Sequence, residues 1–196
     1  MNHLVINLRD IAILIADPNT YLRRLTHGML QAFGANKISG AGNAMDVIET
    51  LLREKVDILL CDMWLPPHGG LALIRAIRQK VDNPHRTIPI LAITSDLREV
   101  KIKQARDAGA NMVIAKPMSP KALYDRLAWI AFTPRQFVDC PTYFGPDRRF
   151  KIEGYPGGVG RRKGDKTVEL AGEVGPTLGQ DDIDSLFNAA RAEQPK

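Results

Sequence analysis

Several features that define other protein classes are scarce in this sequence of 196 residues. It has only two cysteines, Cys61 and Cys140, which are too few for a disulfide framework and fit a reducing compartment. The longest uninterrupted apolar runs are six residues, whereas a membrane span needs about 20. The four histidines lack the spacing of a zinc site, and the N-terminus lacks a secretory pattern. These absences predict a cytoplasmic protein with no membrane insertion and no zinc.

The charge is distributed unevenly along the chain. Residues 1–133 carry a net charge of +5, residues 134–166 carry +4 and residues 167–196 carry −4. A positive balance favours anionic partners but does not by itself identify nucleic acid. Because the acidic end is tied to a basic body, the pattern favours a protein partner, or docking of the end onto the body, over nucleic acid.

Residues up to 133 alternate between short apolar runs and segments of helical periodicity. The apolar runs predict strands near 11–16, 37–41, 56–61, 88–93 and 111–115. Helices are predicted after them, near 22–33, 44–54, 71–80, 96–108 and 119–131. Five such units predict an α/β protein of the flavodoxin-like (βα)5 class, a doubly wound parallel sheet with strand order 2-1-3-4-5.

Four polar residues follow predicted strands: Asp17, Asp62, Thr94 and Lys116. The carboxyl ends of parallel strands meet at the edge where such sheets bind ligands. Carboxylates without histidine suit Mg²⁺, and a carboxylate can also serve as the nucleophile in phosphoryl transfer. Each residue alone has an ordinary alternative role in capping a helix or turn. All four together predict a site for phosphoryl transfer, with Lys116 and Thr94 supplying positive charge and a hydroxyl.

Four motifs together resemble the receiver domains of response regulators, of the CheY-like type. They are residues 13–17, 59–66, 90–95 and 108–117. The resemblance covers residues 9–133 and implies a signalling domain of a phosphorelay rather than a conventional enzyme.

The resemblance also implies a role for each residue of the predicted site. Asp62 would accept a phosphoryl group from a sensor histidine kinase or a phosphotransfer protein. Asp17, Asp62 and the backbone carbonyl of Trp64 would bind Mg²⁺. Thr94 and Lys116 would contact the phosphoryl group, and the bond from Lys116 to the next residue is cis in the family.

Two positions depart from the family's pattern. Pro18 stands where receivers usually carry a second acidic residue, which predicts weak binding of Mg²⁺. Val113 stands where they often carry an aromatic residue, which puts in doubt the usual coupling of that ring to Thr94. A receiver that works without phosphorylation, as a scaffold or adaptor, is therefore the alternative function.

The alternation of strands and helices stops at Thr133, and a linker rich in glycine and proline is predicted over residues 134–179. Residues 134–196 contain nine glycines and six prolines, which opposes a second packed domain. Aromatic and basic residues are interleaved between residues 137 and 155. Docking of these rings on the receiver is favoured over binding of single-stranded nucleic acid, because no nucleic-acid module is recognisable.

Residues 180–192 are predicted to form an acidic amphipathic helix. Ile183, Leu186 and Phe187 lie on one helical face, and three aspartates lie in the first turn. Residues 178–187 also resemble the N-terminal peptide of the flagellar switch protein that binds chemotaxis receivers. The predicted partner of this segment is another receiver or the chain's own, in a setting of chemotaxis or motility.

Overall fold

The predicted strand–helix units are present in the computed structural model, which describes residues 6–148 and the backbone of residues 166–168. Five strands form a parallel sheet. They are β1 (Ala12–Ala16), β2 (Lys37–Ala41), β3 (Ile58–Asp62), β4 (Ile90–Thr94) and β5 (Met112–Ala115). Both β3 and β4 are buried along their whole length, as expected of central strands covered on two faces.

A helix follows each of these strands. The helices are α1 (Thr20–Ala32), α2 (Ala44–Arg53), α3 (Gly70–Gln79), α4 (Glu99–Ala108) and α5 (Pro120–Phe132). Side-chain oxygens of Asn19, Asn43 and Ser119 accept backbone amides at the starts of α1, α2 and α5. Among the helices of residues 6–148, none combines the length and the apolar character that crossing a bilayer requires.

The strand order is β2-β1-β3-β4-β5, which confirms the predicted doubly wound sheet. Observed strands and helices lie within a few residues of their predicted bounds. The differences at the starts of β1, β3 and β4 have a common cause, since Ile11, Val56 and Ile88 are buried apolar residues that precede the paired strands. An apolar run reports burial, whereas the start of a strand is set by hydrogen-bonded pairing.

The sheet has a separate apolar core on each face, because successive side chains of a strand point to opposite sides. On one face, residues such as Leu14 and Leu59 pack with α2, α3 and α4. On the other, Ile13 and Leu60 pack with α1 and α5. This arrangement leaves the carboxyl edge of the sheet open between the layers.

Beyond α5 the structure differs from the predicted irregular linker. Strands β6 (Phe137–Cys140) and β7 (Tyr143–Pro146) form an antiparallel hairpin, and β8 (Lys166–Val168) pairs with the other edge of β6. Each strand of the hairpin is only four residues long and lacks a regular alternation of exposed and buried side chains, and the turn at 141–142 lacks glycine. The other residues of the predicted linker, and the helix predicted over 180–192, lie outside the described residues.

The hairpin packs on a buried arginine of α3. The guanidinium of Arg78 donates hydrogen bonds to the carbonyl oxygens of Gly109 and Arg86, at 3.0 and 2.6 Å, and to Oδ1 of Asn111 at 3.0 Å. It also lies over the ring of Phe137, with 5.1 Å between the guanidinium carbon and the ring centroid. Burial lowers the pKa of Arg78 to about 9, so the side chain remains charged at neutral pH.

The ring of Phe144 is held in a similar way. The guanidinium carbon of Arg86 lies 3.4 Å from the centroid of this ring, and the same arginine forms an ion pair with Asp139 at 3.6 Å. Both Phe137 and Phe144 are buried. For these two rings, docking on the receiver is therefore the observed arrangement.

Gly70, the first residue of α3, is the point of closest approach between this helix and β3. A Cβ atom added there would collide with the carbonyl oxygen of Asp62 and lie 2.9 Å from Sγ of Cys61. We expect Gly70→Ala to lower the free energy of unfolding by about 1–3 kcal/mol or more, as overpacking does. Urea denaturation measures the change.

The matched control is Gly28→Ala in α1, where an added Cβ meets no atom within 4 Å. This substitution should leave stability unchanged or raise it by up to about 1 kcal/mol, because alanine favours a helix over glycine. Equal effects of the two substitutions would contradict the packing assigned to Gly70.

Replacing Arg78 should destabilise both α3 and the hairpin. Arg78→Met leaves the buried carbonyl oxygens of Gly109 and Arg86 without this donor, and each such loss costs about 1–3 kcal/mol. We expect unfolding in urea at a clearly lower midpoint, together with faster amide exchange in β6. Arg75→Met, at an exposed position of the same helix, is the control and should change neither quantity.

Candidate functional site

The predicted site residues lie at the carboxyl ends of four strands. Asp17 directly follows β1, and Asp62 and Thr94 end β3 and β4. In the sheet register Ala16 pairs with Cys61, and Thr94 pairs with Ala115, the residue before Lys116. The strands therefore end level with one another, which brings these residues to one edge.

Each aspartate is oriented by a backbone amide two residues further along the chain. Oδ1 of Asp17 accepts from the amide of Asn19 at 2.8 Å, and Oδ1 of Asp62 accepts from the amide of Trp64 at 2.5 Å. Such local bonds are characteristic of aspartate in turns. One oxygen of each carboxylate is thereby fixed, which leaves the other, Oδ2, to face the site.

Lys116 joins the two aspartates. Its Nζ donates to Oδ2 of Asp17 at 2.5 Å and also to Oδ2 of Asp62. Both carboxylates are only 3% exposed, so the ammonium compensates much of the cost of burying them. Burial by itself lowers the pKa of Lys116, but the hydrogen bonds and charges of the two aspartates outweigh it and raise that pKa above its ordinary value.

Thr94 lies at the same edge but does not join this group. It is fully buried, and its hydroxyl is engaged with the backbone of Asp96, accepting from the amide nitrogen at 3.0 Å and lying 3.3 Å from the carbonyl oxygen. Val113 is partly buried and packs beside the core instead of projecting a ring. The structure thus brings together Asp17, Asp62 and Lys116, with Thr94 adjacent.

Sequence reasoning missed the contribution of Arg23, which lies in α1. Its guanidinium donates to the carbonyl oxygen of Asp17 at 2.5 Å and to the hydroxyl of Thr20 at 3.0 Å. The arginine therefore fixes the backbone at the end of β1. A helical arginine six residues after Asp17 carries no special sequence signal, because solvated arginines are common at such positions.

The thiol of Cys61 lies next to Asp62 without sharing its chemistry. Burial, followed by the charges of Asp62 and Asp17, raises the pKa of this thiol to about 12. The thiol is therefore protonated at neutral pH and is not a nucleophile. Asp62 remains the nucleophilic candidate at this position of the sheet.

The site offers two carboxylates and one ammonium at the sheet edge, beside an open groove of about 430 Å³. The groove is lined in part by Trp64, His68, Thr94 and Lys101. Two carboxylate oxygens suit a hard cation that retains waters, such as Mg²⁺. No cluster of three His, Cys, Asp or Glu side chains able to hold a metal occurs among the described residues. The fit to Mg²⁺ thus rests on the carboxylates of Asp17 and Asp62, and the ion would keep waters in its other positions.

The predicted partner-binding residues Ile183, Leu186 and Phe187 lie outside the described residues.

Comparisons with known proteins point to one family. Chemotaxis protein CheY-3 of Vibrio cholerae is 28% identical over 119 residues, which cover 61% of this chain and 90% of that protein. Sensory/regulatory protein RpfC of Xanthomonas campestris is 26% identical over 135 residues, which cover 69% of this chain. The match spans only 18% of the length of that relative.

Solved structures agree with these relatives. A two-component response regulator from Clostridium difficile has a TM-score of 0.56 and 25% identity, over 62% of this chain and 95% of that one. The receiver domain of the sensor histidine kinase PA1611 from Pseudomonas aeruginosa has a TM-score of 0.54 and 25% identity, over 61% of this chain and 94% of that one. That domain was crystallised with a magnesium ion coordinated in its active-site cleft.

The family model of the response regulator receiver domain matches residues 13–128, from β1 into α5. These residues are more than half of the chain and include all four polar residues at the sheet edge. The protein therefore belongs to the response regulator receiver domain family, and its (βα)5 part is a receiver domain of two-component systems.

Proposed function

We propose that this protein is a response regulator in which Asp62 accepts a phosphoryl group from a phosphohistidine of a sensor histidine kinase or phosphotransfer protein. The observation that supports the proposal most is the pairing of Asp62 with Lys116 at the carboxyl edge of the sheet. A buried carboxylate held next to a cation is oriented for attack and is compensated in charge.

The proposed reaction is an exchange of one bond to phosphorus for another. An oxygen of Asp62 attacks the phosphorus, a P–O bond forms, and the P–N bond to the donor histidine breaks. The histidine nitrogen leaves with the electron pair of that bond and takes up a proton. The product is an acyl phosphate on Asp62, whose added negative charge attracts the ammonium of Lys116.

Lys116 and Thr94 have different roles in this proposal. Lys116 already contacts Asp62. After phosphorylation its ammonium would pair with the phosphoryl oxygens instead of the carboxylate. The Thr94 hydroxyl is bonded to the backbone of Asp96, and would exchange these bonds for one to a phosphoryl oxygen. That exchange would shift the segment between β4 and α4, which offers a route from the site to the surface.

Asp17, Asp62 and the backbone carbonyl of Trp64 are the proposed ligands of Mg²⁺. When bound, the ion would neutralise negative charge on the phosphoryl oxygens. Pro18 supplies no carboxylate, and Lys116 competes for both aspartates. Weak binding of Mg²⁺ is therefore proposed, in contrast to a site with a second acidic residue.

We propose that the output consists of protein–protein contacts in chemotaxis or motility. A chemotaxis protein is among the relatives, and residues 178–187 resemble a receiver-binding peptide. The proposed organisation is a receiver over 9–133, a connecting stretch over 134–179 that contains the hairpin packed on the receiver, and a partner-binding segment over 180–192. Receiver domains act as signalling modules, so catalysis would be limited to the protein's own phosphorylation and dephosphorylation.

A phosphorylation-independent scaffold is the second candidate function. Two observations favour it, namely Pro18 at the position of the second acidic residue and Val113 packed beside the core without an aromatic ring. In this case the bridge from Lys116 to both aspartates would serve to hold the fold of the site. Binding to partners would then be independent of the charge at Asp62.

Phosphorylation of the full chain separates the two candidates. We expect acetyl phosphate with Mg²⁺ to add one phosphoryl group, detected by intact-protein mass spectrometry. The modification should be absent from Asp62→Asn, because the amide lacks the nucleophilic oxygen anion. Asp10→Asn replaces an exposed carboxylate before β1 and should be modified like the unaltered protein.

No modification at any concentration of Mg²⁺ would contradict the first proposal and favour the scaffold. Modification that persists in Asp62→Asn would show that another residue is the acceptor. Either result would leave the fold and the family unchanged.

The proposed weakness of the metal site is tested by restoring the missing carboxylate. Pro18 is exposed, so Pro18→Asp adds a charge without altering the core. We expect Mg²⁺ to bind at least about tenfold more tightly, since tenfold needs only about 1.4 kcal/mol of the attraction between a carboxylate and a dication. Isothermal titration calorimetry measures the affinity.

Pro18→Asn is the control, because it makes the same change in backbone and size without the charge. Its affinity for Mg²⁺ should stay near that of the unaltered protein. A gain shared by both substitutions would assign the weakness to the proline backbone rather than to the missing carboxylate.

A further inference from the structure

Residues 134–148, here called the strap, comprise the hairpin and its flanking residues, and they reach the C-terminal end of α4. Asp107, in the last turn of this helix, forms an ion pair with Arg148, in which Nη1 donates to Oδ1 at 2.7 Å. The guanidinium of Arg148 lies over the ring of Tyr143, with 4.0 Å between the guanidinium carbon and the ring centroid. The strap therefore holds Asp107 through an arginine that another residue of the strap positions.

The backbone of the strap also packs directly on the turn between α4 and β5. Gly145 in β7 faces Gly109, the residue that ends α4, so closely that an added Cβ atom at Gly145 would lie 3.0 Å from the Cα atom of Gly109. The carbonyl oxygen of Gly109 also accepts from Arg78 at 3.0 Å. Because this region is closely packed, movement of the end of α4 would collide with the strap or break contacts with it.

The remainder of α4 is held by few contacts. Its buried residues are two alanines, Ala105 and Ala108, and no side chain caps its N-terminus. Val100, near the start of the helix, is 65% exposed. Since an alanine side chain buries little apolar area, the contacts with the strap contribute much of what fixes the position of α4.

The proposed phosphorylation of Asp62 acts on the opposite end of the same helix. The Thr94 hydroxyl is bonded to the backbone of Asp96, three residues before α4. Exchange of these bonds for one to a phosphoryl oxygen would shift the residues that lead into the helix. A helix of ten residues is about 15 Å long and moves as one rigid element, so a shift at its start extends to Asp107.

We propose that the strap holds α4 in its unphosphorylated position and thereby slows phosphorylation of Asp62. The shifted position of α4 is then sampled less often, and phosphorylation in turn weakens the contacts of the strap, because coupling between two sites is reciprocal. The strap lies beyond the part of the chain that the family model matches, so this restraint comes from outside the matched receiver. The inference rests on the proposed function, since it assigns a regulator to the site of Asp62.

Removing the ion pair tests the restraint in the full chain. We expect acetyl phosphate with Mg²⁺ to phosphorylate Arg148→Gln and Asp107→Asn about twofold to fivefold faster than the unaltered protein, as suits an ion pair whose side chains are about one-third exposed. The double variant should be no faster than either single variant, because both substitutions remove the same interaction. Intact-protein mass spectrometry over time measures the rates.

Lys103→Gln is the matched control. Lys103 lies at an exposed position of α4, and its substitution removes one positive charge, as Arg148→Gln does. This variant should be phosphorylated at the rate of the unaltered protein. Equal acceleration by Lys103→Gln, a double variant whose acceleration is the product of the two single effects, or no acceleration in either single variant would overturn the proposed role of the strap.

Hydrogen–deuterium exchange measures the reciprocal effect. In the phosphorylated protein the amides of β6 and β7 should exchange faster than in the unphosphorylated protein. The amides of β2, at the opposite edge of the sheet from β5, should exchange at the same rate in both. Unchanged exchange in β6 and β7 after phosphorylation would overturn the role of the strap and leave the proposed function intact. Absence of phosphorylation from the unaltered protein and from every variant would overturn both.

Discussion

The carboxyl edge of this sheet depends on the ammonium of Lys116. Asp17 and Asp62 are almost fully buried, and two such carboxylates are stable side by side only with a compensating cation. Lys116 follows β5, which is separated from β3 by β4, so its side chain reaches past the end of one strand to the ends of two others. One charge therefore connects three strands, and a change in charge at Asp62 acts directly on the segment after β5.

A second buried cation organises the opposite side of the molecule. Arg78 is held by carbonyl oxygens from two loops and by the ring of Phe137, so α3, the turn after α4 and the hairpin share one side chain. Residues 134–148 lie beyond the family match, yet they complete the packing of α3. The chain's own hairpin therefore covers this surface of the receiver.

The fold could be predicted because its signals are local. Apolar runs and helical periodicity marked five strand–helix units, and the parallel order followed from the need to cover both faces of the sheet. Part of the candidate site could be predicted because Asp17, Asp62 and Lys116 lie at the carboxyl ends of predicted strands. In a parallel sheet these ends meet at one edge. The hydrogen bonds of Thr94 and the role of Arg23 could not be predicted, because they depend on side-chain conformation and on backbone atoms elsewhere in the site.

The hairpin was not predicted, because Phe137 and Phe144 are buried by arginines of α3 and of the loop that follows it. No pattern within residues 134–148 indicates that contact.

The two amides that orient the aspartates restrict the sequence very little. The residues that donate them, Asn19 and Trp64, contribute only a backbone N–H to this task, and the Trp64 side chain is 65% exposed. Every amino acid except proline has that group. The only proline of the first turn is at position 18, where the carboxylate of Asp17 requires no amide. The first carboxylate can therefore keep its orientation whatever side chain stands at position 18, whereas position 19 is restricted further because its side chain caps α1.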